Sequence, residues 1–148
     1  MATKHEEEYA RMRNRIDKAE DTPKAIYVSA INTTPLSASK EFVLKNKMNF
    51  FQNGLNVLTK LTPGKVYVGV DKNSTGDMRN LENVEIVNVS GPHPAGNVGV
   101  IIQKIDPINQ GERVWTVGPE DVAIIGELFA TGKFNAERTI AVTGNAAK

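Results

Sequence analysis

Cysteine is absent from the 148 residues, which removes disulfides, thiolate zinc sites, iron–sulfur clusters and a cysteine nucleophile together and fits a reducing compartment. Histidine is nearly absent. His5 and His93 are the only two, too few for a histidine-rich metal site, so no metal is expected. Charge of one sign is also lacking. Eighteen basic residues stand against seventeen acidic ones, a net +1, so there is no field to hold a phosphate backbone by counterion release, and no nucleic-acid partner is expected. No apolar run approaches the roughly 20 residues that span a bilayer. The N-terminus carries charges where a signal peptide would carry its apolar region, so the expectation is a soluble chain with no transmembrane segment. What is present, 40% apolar and 24% charged residues, suits one compact domain.

The first break lies near Asp21. Residues 1–21 are dominated by charge, with Glu6, Glu7 and Glu8 leading and Arg11, Arg13, Arg15 and Lys18 following. Their apolar stripe, Tyr9, Met12, Ile16 and Ala19, has helical 3-4-3 spacing. Acids first, bases later and a Glu7–Arg11 pair four apart all support a helix. This charged helix reads as a surface helix packing on the domain, or an appended segment. A short coiled-coil seam supporting a weak dimer is the sharper alternative.

Residues 22–148 read as the domain proper. Strand-like and helix-like runs alternate, the pattern of a parallel sheet with crossover helices. Strands are expected at 24–31, 65–70, 84–89, 113–117 and 138–143, the first nearly continuous in apolar character and so covered on both faces. Leu44, Met48, Phe51, Leu55 and Leu58 recur at 4-3-4-3 spacing before Pro63-Gly64, which predicts a core-facing helix over about 46–61. A helical turn is expected near 77–81. Val98, Val100 and Ile102 alternate like a strand, but Val98, Ile101, Ile102 and Ile105 fit the helical template with Asn97 as N-cap, and helix is preferred. Pro119, Glu120 and Asp121 open a further helix whose expected buried face is Val122, Ile125, Leu128 and Phe129, closed by Gly132. The expected fold is a three-layer α/β, Rossmann-like domain with a mainly parallel sheet.

One loop stands out chemically. Pro92, His93, Pro94, Ala95, Gly96 and Asn97 follow the third strand at its carboxyl end, where open α/β sheets usually bind ligands. Two prolines stiffen this loop, and a following helix would aim its unpaired N–H groups into it. His93 could donate a hydrogen bond to a carbonyl there; a turn histidine without a ligand is the plainer reading. Trp115 could stack on a planar ring, but a core or interface tryptophan suits its strand. Ser29, Asp71 and His93 are the residue types of a hydrolytic triad. No G-x-S-x-G surrounds the serine, and that reading is set aside.

Four ordered segments, 22–30, 51–58, 91–100 and 114–129, together with 138–144, resemble the middle region of the A subunit of the bacterial sodium-translocating NADH:quinone oxidoreductase. The resemblance runs from about Thr22 to Lys148, which makes the chain look like an excised domain of a longer polypeptide. It implies a fold related to the flavin- and NADH-binding domain of respiratory complex I. The chemistry of those relatives is missing at the matching places. No G-x-G-x-x-G follows the first strand, where Asn32-Thr33-Thr34-Pro35 stands instead, and threonine and proline would obstruct a pyrophosphate. The segment Asn73-Ser74-Thr75-Gly76-Asp77 reads as an ordinary loop, not a flavin site.

The resulting expectation is a structural and docking domain of the quinone-interacting subunit, with quinone or subunit contact at Pro92–Asn97 and no catalytic residue of its own. No cofactor is expected in the fragment, whereas NAD, flavins, quinone and sodium belong to the whole complex. Its place would be peripheral, on the cytoplasmic side of the bacterial inner membrane, with the other subunits as partners. The alternative is a self-sufficient flavin- or nucleotide-binding domain.

Overall fold

The computed structural model describes residues 21–144. Residues 1–20, and with them the expected N-terminal helix and its dimer seam, lie outside the described residues. Four strands, β1 (Ala25–Ser29), β2 (Val66–Asp71), β3 (Glu85–Val89) and β4 (Val114–Val117), form one sheet in the order β3-β2-β1-β4. Every pairing is parallel, with Tyr27 opposite both Tyr67 and Thr116. The helices are α1 (Lys40–Leu44), α2 (Met48–Leu58), α3 (Val98–Ile105) and α4 (Pro119–Thr131), and one 3-10 turn spans Gly76–Arg79. This is the three-layer α/β fold that the alternating pattern predicts.

The two sheet faces are covered unequally. On one, Ile26, Val28, Val66, Val68 and Val70 pack under Leu44, Phe51, Leu55, Leu58, Val122 and Ala123 of α1, α2 and α4. On the other, Ala25, Tyr27 and Val89 meet Ile101 and Ile102 of α3, the only described helix there. Because both faces are buried, β1 and β2 have apolar side chains at nearly every position. Tyr27 and Tyr67 stack at 5.0 Å and 15°, and burial pushes the Tyr27 hydroxyl pKa up.

The stripe Leu44-Met48-Phe51-Leu55-Leu58 faces the core as expected, but the single helix predicted over 46–61 is two. The N–H groups of Lys45 and Lys47 close tight turns onto Phe42 and Leu44 at 3.3 and 2.7 Å, and Lys47 leaves helical geometry as the N-cap of α2. The α4 face also differs from expectation. Val122, Ala123, Ile124 and Gly126 are buried, whereas Leu128 is partly exposed and Phe129 is 70% exposed. Glycine is the reason. A Cβ on Gly126 would lie 1.8 Å from the Phe50 carbonyl oxygen, and one on Gly54 1.9 Å from that of Val122, so α2 and α4 touch backbone to backbone. That contact turns α4 toward its small residues rather than its large ones.

The expected strand at 138–143 does not form; those residues are irregular and exposed. Handedness explains the difference. The β1-to-β2 connection moves one way across the sheet through the α2 face, and β3-to-β4 moves the opposite way through the α3 face, which gives both the same hand. Since α4 lies with α2, a parallel strand outside β4 would need the opposite hand, a geometry almost never found. Instead Lys47 Nζ donates to the Glu137 carbonyl at 3.1 Å and Arg138 pairs with Asp121, which holds the chain where α2 and α4 begin.

Candidate functional site: the cleft between β1, β4 and the start of α3

Strand order reverses between β1 and β4, whose crossovers leave on opposite faces and leave a crevice at the carboxyl edge. A cleft of about 650 Å³ occupies it. Ser29 and Thr116 line it from the strands, Lys40 from α1, and Gly96, Asn97 and Val98 from the start of α3.

Of the six residues singled out in the sequence, Gly96 and Asn97 line this cleft and Pro92, His93, Pro94 and Ala95 do not. Residues Pro92–Asn97 form two overlapping turns, with the Ala95 N–H donating to the Pro92 carbonyl at 2.9 Å and the Asn97 N–H to the Pro94 carbonyl at 2.8 Å. The turn after β1 holds the loop in place. Ser29 Oγ donates to the Gly96 carbonyl at 2.6 Å, and the Gly96 N–H donates to Thr33 Oγ1 at 3.1 Å. Thr33 Oγ1 is also 3.2 Å from His93 Nδ1. Having accepted from Gly96, the hydroxyl can donate to that nitrogen when the ring proton sits on Nε2. Gly96 is buried, and a Cβ there would crowd Thr33 at 3.1 Å, so glycine is needed for the close approach. Thr33 is thus more than an obstacle at a glycine-loop position: it anchors the loop opposite.

Two helices begin at this edge with contrasting electrostatics. Asn97 takes the N-cap position of α3, as expected, but its side chain makes no capping bond. The Val98 and Gly99 N–H groups therefore meet neither an intrahelical acceptor nor an Asn97 cap. The start of α4 supplies its own acids. Glu120 accepts from Lys40 Nζ at 2.7 Å, and Asp121 pairs with Arg138. Burial pushes the Glu120 carboxyl upward, but the Lys40 hydrogen bond, its own backbone N–H and the charges of Lys40 and Arg138 outweigh that and hold it below the usual carboxylate range. Sequence reasoning missed Lys40. It lies 80 residues from Glu120, and no local pattern reports such a pairing.

The other candidates separate. Trp115 packs against the main core and does not line the cleft. Ser29, Asp71 and His93 form no triad: Ser29 bonds Gly96, His93 meets Thr33, and Asp71 Oδ1 accepts from the Asn73 N–H at 2.8 Å. In the 73–77 loop, Ser74 Oγ donates to Glu41 at 3.0 Å, as in an ordinary loop. Among the described residues no cluster of His, Asp or Glu could hold a metal, and no helix is long and apolar enough to cross a membrane.

A family model described as the NqrA second alpha/beta domain matches residues 10–134. The A subunit of the Na(+)-translocating NADH-quinone reductase of Marinomonas sp. (strain MWYL1) is 40% identical over 131 residues, covering 88% of this chain and 29% of that protein. Those of Cellvibrio japonicus (strain Ueda107) and Photorhabdus laumondii subsp. laumondii are 41% and 42% identical, covering 82% and 83% of this chain. This chain spans under a third of the length of these curated relatives.

Proposed function

Because the chain belongs to the family of the NqrA second alpha/beta domain, we propose that it works as a structural and docking domain of the NqrA subunit in a sodium-translocating NADH:quinone oxidoreductase. Its loop from Pro92 to Asn97 is the edge that meets a quinone head group or a neighbouring subunit. The complex, not this domain, carries NAD, flavins and sodium, and the domain sits peripherally on the cytoplasmic side of the bacterial inner membrane.

One observation carries this reading: the loop is pinned to the β1 turn through Ser29, Thr33 and Gly96 beside a helix start that no side chain caps. A rigid edge with aimed donors loses little entropy on meeting a carbonyl. Phosphate recognition is disfavoured at the same cleft. Glu120 and Asp121 put two carboxylates at the start of α4, and the turn after β1 is filled by its own bonds, Thr34 N–H to Asn32 Oδ1 at 3.0 Å and Ser37 Oγ to the Thr34 carbonyl at 2.7 Å. Flavin absorbance that co-purifies stoichiometrically with the chain would support the self-sufficient cofactor domain instead.

The test is turnover and quinone KM of the whole complex carrying His93→Leu, with assembly checked on a native gel. A raised KM, partly restored by His93→Gln, is expected, with a loss of about 1–3 kcal/mol for a buried bond. Unchanged kinetics would leave the loop a structural turn.

A further inference from the structure

The Pro92–Asn97 loop spends most of its backbone polarity inside the fold. The Pro92 and Pro94 carbonyls accept from the Ala95 and Asn97 N–H groups, and the Gly96 carbonyl accepts from Ser29 Oγ at 2.6 Å. The two prolines have no N–H to give, and the Gly96 N–H is given to Thr33 Oγ1 at 3.1 Å. The polarity that the loop turns outward is therefore set mainly by the exposed His93 ring. A neutral imidazole carries a donor at one nitrogen and an acceptor at the other, and which of them faces out depends on what holds the inner one. Here the inner nitrogen is Nδ1, 3.2 Å from Thr33 Oγ1.

The Thr33 hydroxyl is committed in a fixed order. Gly96 is buried, and an unpaired N–H there would be costly, so the oxygen accepts from it first. A hydroxyl that accepts one bond is polarised into a better donor for the next, and Nδ1 lies within reach of its proton. With the O–H donating to Nδ1, the ring proton sits on Nε2 and His93 faces outward as a donor. We propose that Thr33 is a positioning residue that fixes His93 in this donor form, and that the loop thereby takes an oxidised quinone in preference to its hydroquinone. This rests on the quinone reading of the loop and says which redox form the same loop selects. A quinone offers two carbonyl oxygens, which only accept. A hydroquinone offers two phenolic hydroxyls, whose protons must turn away from an Nε2–H and whose oxygens are poorer acceptors because their lone pairs are shared with the ring. The opposite tautomer would present a bare Nε2 and reverse the preference, so the bond between Thr33 and His93 decides it.

The test uses the full chain with His5→Gln, which leaves His93 as the single histidine. Its ring nitrogens are read by long-range proton–nitrogen correlation at about pH 8.5, above the ordinary histidine range. Nδ1 should give the signal of a bare ring nitrogen and Nε2 that of a protonated one. Thr33→Val should move the Nδ1 signal and Thr33→Ser should restore it, whereas Ser29→Ala, which loosens the loop at its other tether, should leave it in place. Amide titrations then compare a water-soluble short-chain quinone with its hydroquinone, the latter kept free of oxygen. The oxidised form should bind about threefold to tenfold more tightly, with Thr33→Val bringing the ratio toward one and Thr33→Ser restoring it. A protonated Nδ1 in the His5→Gln chain would overturn the proposal. So would a signal that moves as far in Ser29→Ala as in Thr33→Val, which would make Thr33 a tether only, or equal affinity for the two redox forms. Binding of neither form would instead overturn the quinone reading beneath it, and this inference with it.

Discussion

The starts of α3 and α4 stand at the same edge of the same sheet, yet they are finished in opposite ways. The α4 start is closed by its own Glu120 and Asp121, each held by a cation, Lys40 and Arg138. The α3 start carries no acid in its first turn and no side-chain cap. One end of the crevice is therefore neutralised from within the fold and belongs to its architecture. The other keeps its donors and is fixed from behind by Ser29 and Thr33. The helices behind these ends differ too. The α4 helix is locked backbone to backbone on α2 through Gly54 and Gly126, whereas α3 packs through its side chains, with Ile101 seated over the bare backbone of Gly69 on β2.

The strongest way to break the closed end is to attack its support. Leu55→Ala should destabilise the domain by about 2–5 kcal/mol, because Leu55 is wholly buried at the centre of the α2 stripe. Gly126→Ala should cost about 3 kcal/mol, at the upper end for overpacking, since the new methyl meets a carbonyl oxygen and not a side chain that can rotate away. Urea denaturation measures both, and a loss below about 0.5 kcal/mol in either would mean the α2–α4 contact is looser than described.

A smaller effect belongs to the open end. Thr33→Val keeps the shape of the side chain but removes the acceptor for the buried Gly96 N–H, so it should cost about 1–3 kcal/mol and loosen Pro92–Asn97 without disturbing α4. Crystallography or amide exchange restricted to that loop would show it. An unaltered loop would mean the Ser29 bond alone holds it.

The smallest effect is one of pH. Glu120 and Glu112 both have carboxyl pKa values below the ordinary range. For Glu112 the Asn109 backbone N–H is the main cause and the Lys24 hydrogen bond the next. A folded-state pKa below the unfolded one gives stability that is complete above the unfolded carboxylate value, about 4.3, and is lost as pH falls through the lowered value. Thermal melts should therefore drop below about pH 4.3, and Glu120→Gln should flatten that drop. An identical acid slope in Glu120→Gln would show that Glu120 does not hold the closed end.

This contrast was only partly legible in the sequence. The apolar runs of β1 and β2 announce strands buried on both faces, and Val98, Ile101, Ile102 and Ile105 announce the helix that places the candidate loop, because hydrophobic periodicity is local. Pro119, Glu120 and Asp121 likewise announce how α4 begins. What escaped depends on distance along the chain. Hydrophobicity weights Leu128 and Phe129 above Ala123 and Gly126, yet the partner across the contact is a glycine on α2. The segment 138–143 has strand composition, but the crossover that would be needed to use it is set by which face α4 takes. The anchoring of Gly96 by Thr33 spans 63 residues, and the Thr33-Thr34-Pro35 turn announces only an obstruction.

Whether the α3 start is the open, ligand-facing end is decided by titrating the isotope-enriched chain with a water-soluble short-chain quinone and following its amide signals. Saturable shifts are expected, concentrated at Gly96, Asn97, Val98 and Gly99, with Glu120 and Asp121 unmoved and weaker shifts in Thr33→Val. Shifts centred on the α4 start, or none at quinone concentrations that saturate the whole complex, would contradict it.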